Sequence, residues 1–175
     1  MKARTASTKT VKLRPFSVGG SPRVQLEVWI ERQGDRLWLR YLAEGEVDRV
    51  DWPAPAGNQR ADELWRHTCF EAFVRTPDGY REFNLSPSGH WASYRFDGYR
   101  SGMALADEIV DILGLNGAGD MVALEAAIDL PSGADRLGLS AVIEDVDGGI
   151  SYWALAHPSD KPDFHHPDSF ILELP

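Results

Sequence analysis

Alternation of apolar and polar residues with a period of two, broken every roughly 8–12 residues by turn-forming clusters, constrains this chain more than any other feature. Val24, Leu26, Val28 and Ile30 alternate with Gln25, Glu27, Trp29 and Glu31. Gly34-Asp35 then turns the chain, and Leu37, Leu39 and Tyr41 alternate with Trp38, Arg40 and Leu42. Successive side chains of a strand point to opposite faces, so the pattern builds a hairpin. Further strands are expected over about Cys69 to Val74, Tyr80 to Leu85, His90 to Phe96, Met121 to Asp129, Arg136 to Asp145, Ile150 to Ala156 and Ser169 to Leu174. Pro77-Asp78-Gly79, Ser86-Pro87-Ser88-Gly89, Pro131-Ser132-Gly133 and Asp147-Gly148-Gly149 separate several of them, because Pro presets φ and Gly and Asp tolerate tight turns. Ala104 to Leu113 alone carries a helix-like spacing, ended by Gly114, Gly117 and Gly119; a brief helix or an irregular connection is predicted there. About nine to eleven short strands at this spacing indicate an all-β chain folded as a two-sheet antiparallel β-sandwich.

A chain of 175 residues fits one domain with a full-sized core, assigned to residues 15–175. Residues 1–14 lack apolar alternation and read as a flexible N-terminal arm. The net charge of −9, with no Lys/Arg face in any segment, argues against nucleic acid, which needs phosphate neutralisation. Met1 to Arg14 has no apolar signal-peptide region, and no run of about eighteen apolar residues occurs, so a cytoplasmic protein without a membrane partner is expected. The single Cys69 sits in a strand-like run and reads as a buried, reduced thiol.

Within Cys69 to Val74, alternation puts Cys69, Glu71 and Phe73 on one face and Phe70, Ala72 and Val74 on the other, both largely apolar. A carboxylate among apolar neighbours needs a cation, donors or a ligand to replace its lost hydration. Arg95, Arg81 and Arg100 are the nearby cations in sequence, and two readings stay open: a structural Glu71–Arg pair under a loop, or a pair facing a cleft that receives hydroxyl groups. Trp65 is a stacking platform or a core residue. Asn84 shares a face with Tyr80 and Glu82; its alternatives are a ligand contact and, with Ser86, turn chemistry before Pro87. Trp29, Trp38 and Trp52 read as core or rim. Lys161-Pro162-Asp163-Phe164-His165-His166-Pro167 is an extended loop whose successive side chains diverge, which disfavours a metal site and suits the second wall of a pocket. No Gly-x-Ser-x-Gly elbow, phosphate loop or dinucleotide fingerprint is present.

The runs Leu64-Trp65-Arg66-His67-Thr68-Cys69-Phe70-Glu71-Ala72-Phe73, Tyr80 to Ala92, Tyr94-Arg95-Phe96 and Pro162-Asp163-Phe164-His165-His166 resemble the DOMON-like proteins related to family 9 carbohydrate-binding modules. The resemblance covers roughly residues 16 to 175 and implies an immunoglobulin-like or jelly-roll sandwich whose relatives bind sugars or, in another branch, haem. It implies Trp65 as the stacking ring, Glu71 as the hydroxyl acceptor and Arg95 as the basic partner. His67-Thr68 departs from the acidic pair often found between that Trp and Glu, and Phe164-His165-His166 stands where a second Trp is typical.

The resulting expectation is a non-catalytic module, with no cofactor, that recognises a soluble saccharide or glycoconjugate through Trp65, Glu71, Asn84, Arg95, Phe164 and His165. The alternative is a haem-binding domain, with Met103 and His67, His90 or His157 as axial ligands. An enzyme with a second carboxylate or histidine facing Glu71 is the third reading.

Overall fold

The computed structural model describes residues 7–17 and 23–174, and among these twelve strands and three short 3-10 turns account for all regular structure. The strands are β1 (Ser7–Pro15), β2 (Val24–Gln33), β3 (Arg36–Gly45), β4 (Cys69–Thr76), β5 (Gly79–Leu85), β6 (Trp91–Phe96), β7 (Ala104–Leu105), β8 (Val110–Ala118), β9 (Met121–Asp129), β10 (Arg136–Glu144), β11 (Ile150–Ala154) and β12 (Leu172–Glu173). The first sheet runs β1-β2-β3-β9-β8 and the second β7-β6-β5-β4-β10-β11, with every strand pairing antiparallel. β12 pairs with the start of β10. β1 belongs to both sheets: Ser7 to Leu13 pair with β2, while Arg14 and Pro15 pair with β11.

The predicted sandwich is therefore present, and alternation explains where its core lies. Leu26, Val28 and Ile30 of β2 and Leu37, Leu39 and Tyr41 of β3 point inward from the first sheet. They meet Phe70, Ala72 and Val74 of β4, Phe83 and Leu85 of β5 and Leu137 and Leu139 of β10. Tyr41 lies 4.8 Å from Phe70, ring to ring, and its hydroxyl donates to the Glu71 carbonyl at 2.7 Å, tying the sheets together through the core. A second apolar cluster of Phe73, Tyr80, Ala92, Tyr94, Phe96 and Phe170 lies on the outer face of the second sheet. β4 is consequently buried on both faces, which is why its sequence is almost continuously apolar.

Two predicted boundaries are corrected. Residues 7–14, read as a flexible arm, form most of β1; Leu13 is buried and Val11 packs on the core, but the third inward position is Lys9, which hides the alternation. Residues 1–6 lie outside the described residues. The helix-like stretch Ala104 to Leu113 is β7 followed by the start of β8. A β-bulge between Ile112 and Gly114 breaks the two-residue period there, so Ile109, Val110, Ile112 and Leu113 mimic helical spacing.

Close approach of neighbouring atoms, backbone at one and an aromatic ring at the other, fixes two glycines. A Cβ on Gly79, at φ +136°, would lie 1.9 Å from the Phe96 carbonyl oxygen, so the β4-β5 hairpin requires glycine at this place. Gly138 stands opposite Phe73 and leaves room for Phe170, whose Cδ1 would lie 2.8 Å from an added Cβ. The Phe170 ring stacks on Phe73 at 5.9 Å, pinning the C-terminal segment to the outer face of the second sheet.

Candidate functional site

The outer face of the second sheet carries a buried polar patch set into its aromatic cluster. Register places Glu71 of β4 between Asn84 of β5 and Ser140 of β10, and places Phe73 between Glu82 and Gly138. Glu82 in turn faces Tyr94 of β6. Alternation thus gathers Glu71, Glu82, Asn84 and Ser140 on one face of three neighbouring strands, and all four are buried. Ser140 Oγ donates to Glu71 Oε2 at 3.3 Å.

Two carboxyl groups in such a place compete. Burial pushes the Glu71 carboxyl well above the usual carboxylate range, and the charge of Glu82 adds to the effect, with Ser140 offsetting part of it. Burial likewise raises Glu82 to about 7, against the downward pull of the adjacent Asn84 amide and the Arg100 charge. Although Asn84 lies near Glu82, neither its Oδ1 nor its Nδ2 reaches a hydrogen-bond partner in good geometry among the described residues. A fully buried amide with both ends unpaired is costly, by about 1–3 kcal/mol for each group.

The segment before the last 3-10 turn closes over this face. His165 packs edge-on against Phe73 and Phe96, each at 5.1 Å. The Arg100 backbone N–H donates to Tyr80 Oη at 3.2 Å, so the Tyr80 proton is free to go to His165 Nδ1, 2.8 Å away. This network assigns the remaining imidazole proton to Nε2, which points to Glu82 Oε2 at 3.6 Å. Burial, reinforced by the Arg100 charge, depresses the imidazole to about 4, so the ring is neutral near pH 7. Asp163 anchors the segment: its Oδ1 accepts from Arg100 Nη2 at 2.8 Å and from the His165 backbone N–H at 3.2 Å, and its Oδ2 accepts from Tyr99 Oη. Although burial works the other way, the Tyr99 and Arg100 hydrogen bonds hold Asp163 below its usual range.

Trp65 occupies the 3-10 turn Leu64–Arg66, which follows Glu63 in a left-handed conformation (φ 59°). Leu64 packs into the aromatic cluster while the Trp65 side of the turn stays open: Trp65 is 49% exposed, with the Arg66 guanidinium 5.4 Å above its ring. Phe164 packs partly buried against the same cluster, edge-on to Tyr152. The structure thus gathers Glu71, Asn84, Phe164 and His165 on one face, with Trp65 on the turn that covers it.

Arg95 does not join them. It shares the opposite face of β6 with Trp91 and Ser93, stands across from Arg81, and is exposed. Neither open reading of a Glu71–Arg pair describes the structure, because no arginine hydrogen-bonds or ion-pairs with Glu71 among the described residues; Arg100 reaches the patch instead, through Tyr80 and Asp163. Turn chemistry does apply to Ser86, whose Oγ accepts from the Ser88 N–H at 3.2 Å, and not to Asn84, which lies within β5. Alternation alone could have flagged Glu82, which shares the face of Asn84, and Ser140, the lone hydroxyl in an apolar strand. Asp163 and Tyr99 carry no local signal of their contact. Among the haem-ligand candidates, Met103 is exposed and each histidine uses a ring nitrogen elsewhere: His67 with Glu144, His90 with Gln59 and His157 with the Arg14 carbonyl. No group of three or more His, Cys, Asp or Glu among the described residues is arranged to hold a metal ion.

No protein-family model matches the chain, and no curated protein matches it in sequence. Among solved structures, the chain is similar to a candidate carbohydrate-binding protein from Bacteroides uniformis, with a TM-score of 0.58 and 15% identity over 93% of this chain and 84% of that one. It is also similar to a family 9 carbohydrate-binding module from Caldicellulosiruptor kristjanssonii in complex with cellotriose, with a TM-score of 0.53 and 8% identity over 86% of this chain and 75% of that one. At these identities the likeness is one of fold.

Proposed function

We propose that this chain is a saccharide-binding module that takes its ligand on the outer face of the second sheet. Trp65 offers an exposed ring for the apolar face of a pyranose, Asn84 offers a donor and an acceptor, and Glu71 offers acceptors at the same level. Phe164 and His165 form the covering wall, and Arg100 takes the place expected of Arg95 as the nearby cation. The observation that carries the reading is the Asn84 amide, buried beside two carboxyl groups with no partner in good geometry among the described residues. A ring hydroxyl both donates and accepts, so a polyol satisfies amide and carboxyl together. Because the patch is buried, binding requires the turn bearing Trp65 or the Phe164–His165 segment to move outward. The two neighbours of similar fold support the reading, one described as a candidate carbohydrate-binding protein and the other holding cellotriose.

The test pairs Asn84→Leu with Trp65→Ala in calorimetric titrations against mono-, di- and trisaccharides. In Asn84→Leu the free protein should gain about 1–3 kcal/mol, because an unpaired buried amide is removed, while affinity falls about tenfold to a hundredfold. Trp65→Ala should weaken binding without lowering the melting temperature. Titrations that show no saccharide binding to the unaltered protein, or equal affinity in all three proteins, would refute the site.

A further inference from the structure

The other outward surface of the sandwich, on the first sheet, carries a groove of about 470 Å³. Its construction follows from register. Trp29 lies between Thr10 and Arg40, Arg40 lies between Trp29 and Glu125, and Trp38 is the diagonal neighbour of Trp29 on β3. The outward residues of β9 on either side of Glu125 are alanines, Ala123 and Ala127, both buried. The bulge in β8 re-aims Leu113, which stands half-exposed as the far wall. Trp29 is 36% exposed although it sits in the middle of a sheet rather than at its edge.

We propose that this groove is a second saccharide-binding site, facing away from the first. Three features select the ligand class. Two indoles within one groove provide flat apolar surface of the kind that a pyranose ring covers. The Trp38 indole N–H is buried with no acceptor among the described residues, so a ligand oxygen that reaches it as the indole turns outward would satisfy it. The charged residues that line the groove are Glu27, Arg40 and Glu125, and Arg40 Nε already lies 3.4 Å from Glu125. An anionic ligand therefore finds no unpaired cation in the lining, whereas the hydroxyls of a neutral polyol can donate to Glu27 and Glu125. The inference extends the saccharide reading to a second surface and uses none of the residues of the first.

The six tryptophans give separate indole N–H signals in a ¹⁵N-labelled full-length protein, assigned by single Trp→Phe substitutions. Titration with cellotriose, and in parallel with maltotriose, should move the Trp38 and Trp29 signals along a saturating curve. Trp29→Ala or Arg40→Met should weaken that curve about tenfold and leave the Trp65 curve unchanged. Movement of Trp65 alone overturns the second site and leaves the proposed function standing; movement of Trp38 and Trp29 alone supports the second site and refutes the first. Signals that shift with protein concentration and not with sugar identify a self-association surface and overturn the proposal.

Discussion

Replacement of Glu82 by Gln isolates the cost of holding two carboxyl groups in one apolar patch. Glu82 moves from an ordinary 4.5 to about 7 on folding, chiefly through burial. A raised folded-state value means that the native state holds the proton more tightly than the unfolded chain does. The stabilising contribution is therefore complete below about pH 4.5 and is lost as pH rises through about 7. The size of this shift corresponds to roughly 3 kcal/mol between the two ends of the window. His165, depressed to about 4, acts oppositely: its contribution is complete above about 6.5 and lost as pH falls toward 4. The unaltered protein alone therefore gives a muted profile, and the informative quantity is the difference between Glu82→Gln and wild type. Urea unfolding at intervals from pH 4.5 to 8.5 should show the variant gaining on wild type by about 3 kcal/mol as pH rises, equivalent to roughly 6–12 °C in melting temperature for a domain of this size. Relief of Glu71, which Glu82 pushes upward, adds in the same direction. A difference that stays flat across the window, or that shrinks with rising pH, would refute the claim that Glu82 is buried with its proton held.

Two further outcomes test the packing. Gly138→Ala drives a methyl group to 2.8 Å from Phe170 and 3.3 Å from the Ser169 carbonyl, and should cost about 1–3 kcal/mol in chemical unfolding; a loss below a few tenths would mean that Phe170 is not seated there. Cys69 is fully buried, and burial, with the Glu71 charge adding to it, pushes its thiol well up, so Ellman's reagent should label it slowly in native protein and rapidly in denaturant. Rapid native labelling would contradict that placement.

The sandwich was legible because strands buried on at least one face write their period into the sequence: the expected runs from Cys69 to Ala156 recur as β4, β5, β6, β9, β10 and β11, whereas the run expected over Ser169 to Leu174 keeps only the two-residue β12 after a 3-10 turn. The site was legible only within single strands. Alternation put Asn84, Glu82 and Tyr80 on one face, yet nothing local says which face of β6 joins them, since that depends on the register of Glu82 against Tyr94. Arg95 was misplaced for this reason, being one residue out of phase with the polar patch. Arg100 comes into play through a left-handed backbone (φ 51°) that a non-glycine residue does not announce. Trp29 and Trp38, expected as core or rim, project from the outer face of the first sheet, where no apolar partner predicts them.

Among the described residues β1 alone pairs in both sheets, and its C-terminal pair with β11 joins positions about 140 residues apart. It works as a clasp: the sheets can pack through their apolar faces before it closes, but this edge stays open until the two ends of the chain meet. Such a late, long-range closure favours slow folding, because the intervening loop must first be ordered. While that pair is undone, β11 presents an unpaired backbone edge. A β1 strand from another copy would fit that edge as well as the chain's own, so strand exchange between molecules is the failure that this topology invites.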